Sequence, residues 1–316
     1  MQVILNNFHI IDEETDMTGM VIIEDGFISK VLSAKPPDSG ATMVIDGSSF
    51  SVCKKPVLMP AFVDLHAHLR DPGIPEKEEG LFPEAPFPSE VFESACLAAV
   101  AGGFGTVVCM ANTIPAIDSQ KKVLALKKRS DALGLIDLYP VMSLTRGMEG
   151  KELSEITTLV SRTENDNSFY VPIMLSEDGK DIANDDLFLA AMKEAKRLNL
   201  AISCHCDFGG NEQNAVRRVI ELGKKANCHI HIAHVSTKEA VTEIARVKTE
   251  SQSKKSGSFK LSCEAMPHNI CLTEEDAKKL GDSSWGRVNP PLRTEKDRQA
   301  IVRALADGTI DAIATD

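Results

Sequence analysis

Residues 63–73 read VDLHAHLRDPG, placing His66 and His68 two positions apart and Arg70 two further on. Along a strand, side chains at i and i+2 share one face about 6.5 Å apart, at roughly 3.3 Å per residue. At a fraying strand end two imidazoles so placed can converge on one ion. Asp178 stands in SEDG, His205 in SCHC, His234 in HIHIAHV and Asp316 in the closing IATD. Neutral imidazole nitrogen and carboxylate oxygen are ordinary zinc ligands. Four histidines and two aspartates exceed what one tetrahedral ion takes, so the set predicts two zinc ions with Asp178 bridging them. A metal pair lowers the pKa of a shared water and turns it on a carbonyl. Asp316 is expected to bind metal and also to relay a proton to a leaving nitrogen. Arg70, with its fixed planar fork, is expected to hold a substrate carboxylate beside the ions.

Each residue has a plainer competing reading. In HIHIAHV, His229 and His231 share one face, while His234 has the other parity and lies nearest the strand's end. The first two are therefore read as packing toward helices or making structural hydrogen bonds, and His234 as the ligand. Cys204 and Cys206 flank His205, but on a strand they point away from it and cannot share its ion. His9, alone in the first segment, is read as a structural or surface histidine.

The elements that must position these groups show a repeating order. Candidate strands cover residues 57–66, 106–112, 135–142, 170–176, 201–206, 228–235, 259–265 and 312–316. Helical stretches lie between them at 89–101, 119–133, 185–198, 211–226, 237–247 and 295–306. Strands alternating with helices imply a parallel sheet. Eight of them within residues 58–316 fit the length of a (β/α)₈ barrel, about 250 residues. A doubly wound sheet is the rival, but no glycine-rich phosphate loop follows the first strand. Barrel active sites form at the C-terminal ends of the strands. The candidate ligands all fall at such exits: His66 and His68, Asp178, His205, His234 and Asp316. Residues 1–57 instead hold short runs rich in Val and Ile with an Asp25-Gly26 hairpin signal, and read as a small β-sandwich portion. Residues 72–89 carry five prolines and predict a long stiff loop, whereas 248–258 read as a solvated connection.

The chain has 316 residues, 43% hydrophobic, with a formal net charge of -11. That acidic balance argues against nucleic-acid or anionic-membrane partners and leaves a small-molecule substrate. No secretory signal or spanning apolar run is seen, and eight cysteines are too sparse for a disulfide scaffold. A cytoplasmic enzyme is expected.

Taken together, DLHAHLRDPG, GGFGTVVCMANT, SEDG, HVSTKEA, CEAMPHN, NPPLR and IATD resemble dihydroorotases of the bacterial type I class, within the amidohydrolase superfamily. The resemblance implies that His66, His68, Asp178, His205, His234 and Asp316 bind two zinc ions. It also implies that Arg70 and Asn112 hold the substrate carboxylate and that Asn289 contacts the pyrimidine ring. The implied reaction is reversible closure of N-carbamoyl-L-aspartate to (S)-dihydroorotate in pyrimidine biosynthesis. A homodimer, or a complex with another enzyme of that pathway, is the implied assembly. Hydantoinase-like relatives bridge their metals through a carboxylated lysine, and residues 170–179 contain none; Lys180 is read as solvated. MPHN replaces the commoner TPHH. The family continues past the aspartate where this chain stops, so the barrel is expected to lack its last helix and the sandwich its C-terminal part. The alternatives are another cyclic-amide hydrolase, of allantoinase or hydantoinase type, and a non-catalytic scaffold subunit.

Overall fold

A computed structural model describes residues 1–33, 43–50, 56–69, 92–113, 115–159, 172–252, 259–281 and 286–316. Arg70, the 72–89 segment and the end of the 248–258 segment lie outside the described residues. The chain divides into two compact units, Met1–Phe62 and Val63–Asp316.

The first unit is built on one sheet. Strands β1 (Gln2–Ile11), β2 (Asp16–Glu24), β3 (Phe27–Leu32) and β4 (Met43–Asp46) run in the order β3-β2-β1-β4, and β5 (Val57–Leu58) also pairs with β1. The β2–β3 turn uses Asp25 and Gly26 at φ 50° and 87°, the left-handed pair a two-residue hairpin needs. Ile4, Met20 and Ile22 form one apolar cluster, and Phe8, Ile10 and Val21 a second. Among the described residues the unit shows one five-stranded sheet. His9 hydrogen-bonds Asp16 at 2.6 Å, a structural role.

The second unit alternates strand and helix. Its strands are β6 (Phe62–Ala67), β7 (Phe104–Cys109), β8 (Asp137–Pro140), β9 (Met174–Ser176), β10 (Ala201–Cys204), β11 (His229–Ile232), β12 (Leu261–Ala265) and β13 (Ala312–Ile313). They pair as β6-β7-β8 and β9-β10-β11-β12-β13. Two narrower seams close the ring. Met142 bridges Leu175 in parallel, with Ser176 N–H donating to Met142 O at 3.1 Å. Opposite, Asp316 N–H donates to His66 O at 2.8 Å, and Thr315 N–H reaches the Asp64 carboxylate at 3.1 Å. The result is a TIM-like barrel.

Helices α1 (Phe92–Ala101), α2 (Gln120–Leu133), α3 (Asp185–Leu198), α4 (Glu212–Ala226), α5 (Lys238–Gln252) and α8 (Glu295–Ala306) surround it, with the short α6 (Pro267–Cys271) and α7 (Glu274–Lys279) after β12. Alternation explains the packing. Ile230 and Ile232, on one face of β11, are fully buried in the main core with Val216, Val219 and Ile220 of α4. Gly223 of α4 admits this approach, since a Cβ there would come within 2.5 Å of Ile230. A smaller cluster of Val108, Met110, Val141 and Met174 lies on the alternate face of its strands. Helix α3 starts on Asn184, whose side chain accepts from Asp186 and Leu187 N–H, and ends on left-handed Asn199. Residues 248–252, read from the sequence as part of a connection, instead extend α5, because their Glu and Gln content supports another turn. Among the described residues no helix is long and apolar enough to cross a membrane.

Candidate active site

The barrel's strand exits bring six separated side chains into one cluster, buried at His66, Asp178, His205 and His234 and more open at His68 and Asp316. Asp178 is at its centre. Its Oδ2 lies 3.5 Å from His66 Nε2 and 3.3 Å from His68 Nε2, while its Oδ1 lies 3.7 Å from His205 Nδ1 and 3.5 Å from His234 Nε2. Asp316 Oδ1 completes the first group, 2.7 Å from His68 Nε2 and 3.5 Å from His66 Nε2. His205 Nδ1 and His234 Nε2 are 2.9 Å apart. Two trios result, His66/His68/Asp316 and Asp178/His205/His234, each with its ligand atoms within 4.8 Å of one another.

Local structure fixes these positions. Ser176 Oγ accepts from Asp178 N–H at 3.0 Å, and the neighbouring Glu177 receives Leu144 and Thr145 N–H at 3.0 and 3.1 Å. Glu177 therefore ties the β9 exit to the loop after β8. Gly179, at φ 77°, lets the chain turn away directly after Asp178. His234 and Asp316 carry positive φ of 34° and 62°, costly for residues with a Cβ and typical of side chains aimed into a site. Cys204 and Cys206 pack into the main core while His205 enters the cluster, as alternation requires.

The cluster is electrostatically coupled. Burial by itself would lower His66 and His68, but hydrogen bonds to Asp178, with Glu264 for His66 and Asp316 for His68, outweigh it and raise them to about 10 and about 9. Burial opposes ionisation of Asp178, yet its histidine partners hold its carboxyl well below the usual range. Asp178 Oδ1 is nevertheless buried with no hydrogen-bond partner, an orphan acceptor among imidazoles. A buried carboxylate oxygen left so is expensive unless a cation completes it. Four imidazoles and two carboxylates in two trios fit two divalent ions of the kind that N/O sites take.

The remaining expected residues are placed less directly. Asn112 lines the cavity and its Oδ1 accepts from His68 Nδ1 at 2.9 Å, with its amide nitrogen beside Gly179. Asn289 Nδ2 approaches His205 Nε2 at 3.4 Å from the same cavity. Lys180 is exposed and donates to Met148 O at 3.0 Å, away from the bridging position.

Sequence reading missed two residues. Glu264 is fully buried and takes His66 Nδ1 at 2.7 Å and His231 Nε2 at 3.1 Å. His231 therefore does not pack toward the helices; its other nitrogen, Nδ1, lies 2.9 Å from Ser262 Oγ, which also meets His229 Nε2 at 3.0 Å. The available signal was a glutamate set among apolar and small residues in LSCEAM, a charge that such a strand buries only with a partner. His268, also unassigned, lines the cavity with a buried, unpartnered Nε2.

Comparison with known proteins follows the same line. The amidohydrolase family model matches residues 57–316. A dihydroorotase of Clostridium botulinum (strain Eklund 17B / Type B) is 32% identical over 324 residues, which cover 100% of this chain and 71% of the relative. One of Acetivibrio thermocellus is 31% identical over 334 residues, covering 98% and 70%. Among solved structures, L-hydantoinase (dihydropyrimidinase) from Arthrobacter aurescens matches with a TM-score of 0.72 at 20% identity, over 99% of this chain and 68% of that one. A D-hydantoinase matches at 0.73 with 18% identity, over 100% and 68%.

Proposed function

Because this chain belongs to the amidohydrolase family, we propose that it is a metal-dependent cyclic-amide hydrolase with dihydroorotase activity, interconverting N-carbamoyl-L-aspartate and dihydroorotate. The observation that carries this is the division of four imidazoles between the two oxygens of one buried aspartate, Asp178. The dihydroorotase relatives at 31–32% identity support the substrate. Zinc is the ion this reading names; His66, His68 and Asp316 would hold one and His205 and His234 the other, with Asp178 shared.

Bound there, the two ions supply Lewis acidity toward the scissile amide carbonyl. The chain's own groups do the rest. Burial raises the cost of ionising Asp316, but His68 beside it, with His66 and His234, holds its carboxyl low, so it is a base at neutral pH. In ring opening that carboxylate takes the proton of the attacking water and hands it to the ring nitrogen as the C–N bond breaks; in ring closure it runs in reverse. Asn112 keeps His68 turned with Nε2 inward and offers its amide nitrogen to a substrate oxygen. In this reading Asn289, against His205, contacts the ring, and Arg70 is the residue expected to hold the substrate carboxylate. The assembly expected is a homodimer or a complex with another enzyme of the pathway, in the cytoplasm.

A hydantoinase-type activity is the second reading, favoured by the fold. Asp178 rather than a lysine stands between the two trios, and this supports the first. The test is spectrophotometric turnover of dihydroorotate and of a hydantoin by metal-loaded protein. Dihydroorotate should be turned over, with Asp316→Asn about 10²–10⁴-fold slower. Turnover of the hydantoin alone would overturn the assignment.

A further inference from the structure

The two trios differ in what stands behind them. Behind His66 is Glu264, fully buried, with Oε1 2.7 Å from Nδ1. Its other oxygen, Oε2, faces His231 Nε2 at 3.1 Å, a charge-pair distance at which neither atom has a hydrogen-bond partner, and His231 Nδ1 lies 2.9 Å from Ser262 Oγ. Behind His68 is the neutral amide oxygen of Asn112. Among the described residues, the Asn289 amide at 3.4 Å stands behind His205. Asp181 and Asp207 act on His205 only through space. Among the described residues, no carboxylate other than the shared Asp178 hydrogen-bonds His205 or His234.

We propose that Glu264, hydrogen-bonded to His66 and facing His231, is a positioning residue for one metal position only, making the His66/His68/Asp316 trio the tighter of the two and the first to fill. The physical reason is twofold. A carboxylate on Nδ1 fixes His66 as the tautomer whose Nε2 lone pair faces the ion, and its charge raises the basicity of that nitrogen. A neutral amide does the first and not the second. The inference rests on the metal-centre reading above but assigns a rank order that reading does not contain.

The experiment is stepwise titration of metal-free, full-length protein with Zn²⁺ by calorimetry, and with Co²⁺ by its visible absorption. The native chain should take up two ions in resolved steps. Glu264→Gln should weaken the tighter step about 10–100-fold, the usual effect of losing such a partner, and leave the weaker step in place. His205→Ala identifies the steps: it should abolish the weaker one and keep the tight one. If Glu264→Gln fails to fold, judged by thermal unfolding of the metal-free protein, His231→Gln frees Glu264 without removing its charge. That variant should perturb the cobalt spectrum of the first ion and not of the second. Equal weakening of both steps, no change in either, or loss confined to the His205 step would overturn the inference while leaving the metal centre intact. A native chain that takes up no divalent ion would overturn both.

Discussion

Loading metal at His66 and His68 has to displace protons. In the metal-free chain these imidazoles are held at about 10 and about 9 by Asp178, Glu264 and Asp316, so at neutral pH they are largely protonated. A ligand must be neutral imidazole. Affinity should therefore climb as pH rises toward those values, and binding in weak buffer should release protons that an indicator dye records. The same raised values give the metal-free fold a contribution that is complete below the ordinary histidine pKa and is lost as pH rises through about 9 to about 10. A metal-loaded chain has no such protons to lose, so its unfolding temperature should stay flat over that window. A metal affinity that falls with pH would contradict this account. At this scale the convergence of the candidate ligands was legible because each is a polar group at a strand end, where burial of a charge has no structural excuse. Glu264 was not, since a mid-strand residue gives no hint of which strand will face it.

Strand exits are the elements that do the gathering, and the loops after them are tied together by a second network. Glu212, at the start of α4, is buried and accepts Ser236 N–H at 2.8 Å and Thr237 N–H at 3.3 Å. Its other oxygen takes the Ser236 hydroxyl and Arg293 at 3.5 Å, and Arg293 Nε donates to Ser236 Oγ at 3.0 Å. This accounts for HVST and NPPLR as one clamp: it joins the turn after His234 to the segment carrying Asn289. Glu212→Gln keeps the shape but halves the acceptors for these donors, and should cost about 1–3 kcal/mol. The check is the denaturant midpoint of the metal-loaded protein; an unchanged midpoint would remove the clamp from the account. Helix limits were readable where caps are strong, as at Asn184 and Thr294. They were not at 248–252, where propensity for helix competes with a polar composition that also suits a loop. His229 and His231 show the limit of alternation: it gives their shared face but not whether that face holds helices or the barrel's polar interior.

The whole barrel depends on closing a ring through two thin seams, Met142 against Leu175 and His66 against Asp316. Eight strands could be counted in the sequence, but not these seams, because a single bridge leaves almost no pattern in the residues that make it. Five of the eight strands deliver candidate ligands, so a bound metal would join elements that are distant in the chain. Such an ion binds the folded state alone and should stabilise it by about 2.7 kcal/mol at a free concentration one hundred times its dissociation constant. Chelation should accordingly lower the unfolding temperature, and restoring zinc should recover it; a chelator without effect would show that the seams hold unaided. The most direct measurement is anomalous diffraction at the zinc edge from crystals of the loaded protein. Two peaks, one on each side of the Asp178 carboxylate with His66 and His68 on the first and His205 and His234 on the second, are the predicted result. Density at Cys204 and Cys206 instead, or none among the six groups, would contradict it.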